Sequence, residues 1–189
     1  PELVGAANAV REAWVMEPAH VHGKLATKKL RRIETSWFRD PRIVNICSRA
    51  IELSGLEPAR LESVGLVLLI PHKNFLKQEP GLTAGIERLA REHADRGETV
   101  AYKYHPNSWG QELELPRDQC LEIPQRLPVE ILSPWLSNAV VAGSMTSSLI
   151  FLPRLNPGIQ PRALVLPSNR EHPLNLVYRK LGIPLVECV

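Results

Sequence analysis

Val64–Gly65–Leu66–Val67–Leu68–Leu69–Ile70 is an almost unbroken apolar run, closed by Pro71. A strand with one wet face alternates apolar and polar residues, whereas a strand buried on both faces does not. The run therefore predicts a strand of a parallel sheet, covered by helices on both sides. Proline ends it because it has no N–H to give to the ladder.

Working outward, the same rhythm continues downstream. Thr83 is placed to cap a helix over residues 83–95, with Ile86, Leu89, Ala90 and His93 inward and Glu87, Arg88, Arg91 and Glu92 outward. Gly97 suits the C-cap. Thr99–Val100–Ala101–Tyr102–Lys103–Tyr104 then reads as a second buried strand, ending on His105 and stopped by Pro106. This is one βαβ unit. Residues 121–123 form a short strand and residues 129–136 a short helix limited by Pro134. Residues 139–143 are a buried strand that runs into a helix capped by Thr146 or Ser147 and reaching residue 151. Residues 163–166 and 185–187 are further strands, flanking a helix over 174–181 that stops at Gly182. Strands alternating with helices predict a doubly wound, Rossmann-like α/β sheet with right-handed crossovers. His72–Lys73–Asn74 fall in the loop after the first strand.

Upstream the pattern changes, so residues 1–60 read as a helical N-terminal segment and 61–189 as the Rossmann-like domain. Residues 3–16 are Ala-rich, with apolar residues near helical spacing. Residues 24–32 carry Lys24, Lys28, Lys29, Arg31 and Arg32. They read either as a solvated helix face or as a peripheral contact with an anionic membrane surface. Asp40–Pro41 suits the start of a helix through Ile51 that ends near Gly55. No alternating strand is visible in this region. His20–Val21–His22 lacks a third ligand nearby and reads as a loop.

Composition narrows the function classes. The chain has 189 residues, 44% hydrophobic and 23% charged, as a soluble domain would. A net charge of +3 with 5% aromatics lacks the basic, stacking surface of a nucleic-acid binder. Cys47, Cys120 and Cys188 are far apart and odd in number, which implies neither a disulfide framework nor a zinc site and fits a reducing, cytoplasmic setting. No apolar run reaches the length of a membrane span. The 17 prolines fall mostly at element ends and punctuate short elements.

Ligands of open α/β sheets sit outside the carboxyl ends of the strands. His105 and Gly143–Ser144–Met145–Thr146–Ser147–Ser148 both fall at such ends. An imidazole can donate to a phosphate oxygen, and a helix start with two hydroxyls favours an anion. Glu130, at the start of the helix before the Val140 strand, either complements that helix terminus or accepts from ribose hydroxyls. Lys73 and Lys103 are possible phosphate neighbours. No GxGxxG, Walker A, GxSxG or acidic metal cluster occurs.

At Lys103–Tyr104–His105–Pro106, Leu127–Pro128–Val129–Glu130 and residues 140–149, the chain resembles the nucleotide-sugar half of bacterial sialyltransferases. The capsule α-2,8-polysialyltransferases and lipooligosaccharide sialyltransferases are the families meant. The resemblance covers residues 61–170 and implies one half of a GT-B fold, a CMP-sialic acid donor, a glycan acceptor and no metal. It implies that His105 binds the CMP phosphate and assists departure of CMP as general acid. Ser147 and Ser148 would hold the same phosphate, with Thr146 beside them, and Glu130 would lie near the nucleotide. The family's base, in an acidic pair followed by glycine, has no counterpart, Glu34 being only a faint one. Residues 1–60 are too few for an acceptor domain, so either upstream sequence is missing or the protein is a reduced relative. Two other readings stand beside this one: a GT-B transferase with another donor, such as a CDP-glycerol phosphotransferase, and a nucleotide-binding module without catalysis.

Overall fold

The computed structural model describes residues 10–16, 23–108 and 113–188. Contacts divide the chain into two units, Pro1–Asp40 and Pro41–Val189.

The smaller unit departs from its sequence reading. Glu12–Val15 is a strand, β1, where a helix over 3–16 was expected; the rest of that span, and His20 and His22, lie outside the described residues. Gly23–Ala26 is a single helical turn, α1, and Lys29–Arg32 is a second strand, β2, parallel to β1 with Glu12 opposite Lys29. The cationic stretch 24–32 is thus half strand and not a helix face. The Glu12 carboxylate bridges the pair: it meets Lys29 Nζ at 3.5 Å and Arg31 Nε at 3.3 Å. Trp14 and Trp37 pack with ring centroids 5.7 Å apart.

The larger unit is a Rossmann-like α/β fold. It opens with α2 (Pro41–Leu53) and α3 (Pro58–Leu61), both helices having proline in the first turn. β3 (Val64–Ile70) follows, with every residue buried except the half-buried Gly65. α4 (Lys73–Gln78) occupies the stretch whose start was read as loop; six residues are too few to show a helical period. α5 (Pro80–Asp95) starts three residues before the expected Thr83, because Pro80 at its first turn is already set at a helical φ. Gly97 closes it with φ 76°. β4 (Thr99–Tyr104) and β5 (Cys120–Glu122) come next. Val129–Leu132 is a single 3-10 turn rather than a helix to residue 136. β6 (Val140–Gly143), α6 (Ser148–Leu155), β7 (Gln160–Val165), α7 (Pro173–Lys180) and β8 (Leu185–Glu187) complete the unit.

The six strands pair in the order β5-β4-β3-β6-β7-β8, all parallel. Alternate residues of each strand feed two apolar layers. Val67, Leu69, Ala101 and Val141 face one, which holds Ile51, Leu61, Leu149, Leu152 and Tyr178. Leu66, Leu68, Val100 and Ala142 face the other, which holds Leu76, Leu82, Ile86 and Ala90. Among the described residues all three cysteines are free and no helix is long and apolar enough to cross a membrane.

Candidate functional site

The chain leaves β3 toward β4 and β5 on one side of the sheet and returns to β6, β7 and β8 on the other. Successive connections therefore diverge at β3 and β6, and a crevice opens outside their carboxyl ends. A cleft of about 630 Å³ lies there. Its lining comes from the ends of β3 (Ile70 to His72), β4 (Tyr104 to Pro106) and β6 (Ser144 to Ser148), and from Gln125 to Glu130 after β5.

Two of these strand ends carry a histidine in the same setting. His105 follows β4 and its Nδ1 accepts the N–H of Asn107 at 3.2 Å. His72 follows β3 and its Nδ1 accepts the N–H of Asn74 at 3.2 Å, capping α4. Accepting at Nδ1 places the proton of each neutral ring on Nε2. The rings stand edge to face, with centroids 5.3 Å apart. Burial, then the neighbouring His72 and Lys103, hold the His105 imidazole below its ordinary pKa.

The third strand end is a strained turn. Met145 sits at φ 57°, where a non-glycine residue pays roughly 1–2 kcal/mol. Tyr178, fully buried on α7, fixes the turn: its hydroxyl donates to Thr146 O at 2.6 Å and accepts from Thr146 N at 3.0 Å. Burial pushes this phenol up to about 12. Thr146 Oγ1 accepts from Ser148 N at 3.3 Å, so Thr146, not Ser147, satisfies the first N–H of α6. Ser147 occupies the cap position without a side-chain capping bond and is exposed. Ser148 Oγ donates to Glu130 Oε1 at 2.7 Å. Its single proton is thereby directed at the carboxylate, which leaves Ser147 as the hydroxyl donor of the pair. Gly143 is required at the base of the turn, since a Cβ there would lie 2.9 Å from Leu69 Cβ.

Ser144 adds a signal of another kind. It is 3% exposed, it lines the cleft, and its hydroxyl has no hydrogen-bond partner among the described residues. Buried hydroxyls are seldom left so, and a polar ligand group would satisfy it.

Among the described residues charge in the cleft is sparse. Lys103, 7% exposed, donates from Nζ to Gln125 O at 2.5 Å. Burial lowers its pKa, and Glu130 opposes that shift. Gln125 Nε2 in turn donates to His105 O at 2.5 Å and Ser108 O at 2.9 Å, tying the segment after β5 to the His105 turn. Arg126 supplies a second cation, and Glu130 is the one carboxylate on the lining among the described residues. No cluster of three or more His, Cys, Asp or Glu side chains suited to a metal ion occurs among the described residues.

Of the residues singled out in the sequence, His105, Glu130, Thr146, Ser147, Ser148 and Lys103 share this one cleft, while Lys73 is not on its lining. His72, Gln125, Arg126 and Ser144 were not foreseen as parts of it. A signal for His72 was present: His-x-Asn recurs after two successive buried strands, at His72–Lys73–Asn74 and His105–Pro106–Asn107. Nothing local marks Tyr178, which reaches the turn from 32 residues away. No protein-family model, no curated protein and no solved structure matches this chain.

Proposed function

We propose that the protein is a glycosyltransferase resembling bacterial sialyltransferases, with the larger unit serving as the nucleotide-sugar half of a GT-B fold. The donor is CMP-sialic acid and the acceptor a glycan. The observation that carries this reading is the convergence of His105, the Ser147–Ser148 helix start and Glu130 on one cleft at the switch point of a parallel sheet.

In the reaction the bond between the sialyl carbon and the phosphate oxygen breaks, and its electron pair stays on the phosphate of CMP. The acceptor hydroxyl oxygen forms the new bond and gives up its proton. Charge builds on the leaving phosphate, and donors fixed beforehand stabilise it. His105, with its proton on Nε2, and the Ser147 hydroxyl fill that role. Removing one such donor typically costs on the order of 10²–10³ in rate. The sparse charge of the cleft suits a monoanionic phosphodiester better than a diphosphate, which ordinarily calls for further cations or a metal ion. Glu130, when not occupied with Ser148 alone, is positioned to accept from a ribose hydroxyl.

A second reading, a nucleotide-binding module without catalysis, is favoured by one observation. Among the described residues the one carboxylate on the lining is Glu130, already bonded to Ser148, so they supply no other lining carboxylate to take the acceptor's proton. Calorimetric titration with CMP, CDP and UDP tests both readings. CMP is expected to bind, with His105→Ala and Ser147→Ala each weakening it by about 1–3 kcal/mol. Absence of CMP binding by the folded protein would sink the sialyltransferase reading. CMP binding without hydrolysis or transfer of CMP-sialic acid on any glycan acceptor would favour the module.

A further inference from the structure

We propose that His72 is a second anion-contacting residue, its Nε2–H donating together with that of His105 to one phosphoryl group. This rests on the reading that the cleft takes a phosphate-bearing ligand.

Capping alone does not call for a histidine at position 72. Its Nδ1 caps α4, but asparagine, aspartate or serine would cap at least as well. His172 shows the capping device by itself: its Nδ1 accepts the N–H of Leu174 at 3.2 Å at the start of α7, and it is not on the cleft lining. His72, by contrast, lines the same cleft as His105, and the two rings stand edge to face. Neither Nε2 has a hydrogen-bond partner among the described residues. Both donors are thus oriented by backbone bonds at Nδ1 and unspent at Nε2.

Geometry lets the two act together. β3 and β4 are adjacent and in register at their ends, with Ile70 opposite Tyr104, so the histidines leave neighbouring strands side by side. Ring centroids 5.3 Å apart, each with a reach of about 2.9 Å to an oxygen, suit two oxygens of one phosphoryl group. The charged groups around the pair are Lys103, Arg126 and Glu130 on the lining and Lys73 beside His72 in the chain. Lys103 is engaged with Gln125 O. Two imidazole N–H donors held by backbone bonds reach an anion here without a buried cation's desolvation cost.

The test uses His72→Asn, which keeps the cap and removes Nε2, and His172→Asn as its matched control. Histidine Cε1–H resonances are followed by NMR as CMP, and separately inorganic phosphate, is added to the full chain. The expected result is that His72 and His105 shift together while His172 does not. His72→Asn should raise the Kd for CMP about tenfold, with His172→Asn unchanged. CMP that shifts His105 but not His72, or binds His72→Asn as tightly as wild type, overturns the inference and leaves the nucleotide reading standing. Phosphate that shifts both histidines while CMP fails to bind does the reverse. If neither probe moves either ring, both fall.

Discussion

Removing one buried oxygen from Tyr178 tests how the fold holds the candidate site. The hydroxyl makes two bonds, to Thr146 O at 2.6 Å and from Thr146 N at 3.0 Å. With its pKa near 12 it stays protonated at any working pH and performs both roles. Tyr178→Phe keeps the ring in its apolar layer and deletes only these bonds. At about 0.5–1.5 kcal/mol each the loss is roughly 1–3 kcal/mol. For a unit of this size that lowers Tm by about 3–9 °C. A second effect follows from Met145, whose φ of 57° is tolerated because its neighbour is clamped. Without the clamp the turn relaxes, and Ser147 and Ser148 leave their positions. On the proposed function, CMP affinity then falls about tenfold, as for one lost hydrogen bond to a charged group. Thermal melting and calorimetry read the two effects separately. A Tm within one degree of wild type, which is about a third of the smallest expected shift, would refute the clamp. A lowered Tm with unchanged CMP affinity would show that the clamp serves stability alone.

Gly143→Ala should destabilise by about 1–3 kcal/mol, because the added methyl meets Leu69 Cβ at 2.9 Å and Thr146 Cγ2 at 3.2 Å; chemical denaturation measures it. The His105 ring should titrate below about 6.5 in the free protein. Its contribution to stability is then complete above the unfolded value and lost as pH falls through the folded one. Lys103→Met should raise that midpoint without restoring it, since burial is the larger cause, and an NMR pH titration of the His105 Cε1–H reads both.

How much could be read from the chain differs between its parts, for physical reasons. Val64–Ile70 was legible because a strand covered on both faces must be apolar throughout. His105 was legible because Pro106 marks the end of its strand. The pair β1 and β2 was not, because four residues such as Lys29–Leu30–Arg31–Arg32 carry no period, and their partner strand lies 17 residues away in the chain. The place of His72 on the cleft was marked only by the recurrence of His-x-Asn, because α4 is too short to show a period. Strand order, which brings β3 beside β6 and creates the cleft, is a matter of tertiary pairing that no local pattern records.

The three strand ends that bear His72, His105 and the Ser144–Ser148 turn are neighbours in one hydrogen-bonded ladder, whereas Gln125 to Glu130 belong to a connection. The cleft therefore has a fixed jaw and an editable one. On the proposed function, substitutions in the connection that spare Gln125 and Glu130, which bond to His105 and Ser148, can alter which base or sugar is admitted without moving the strand-end groups. Selection for new ligands has a route here that leaves the strand-end side of the cleft, and the stability invested in it, in place.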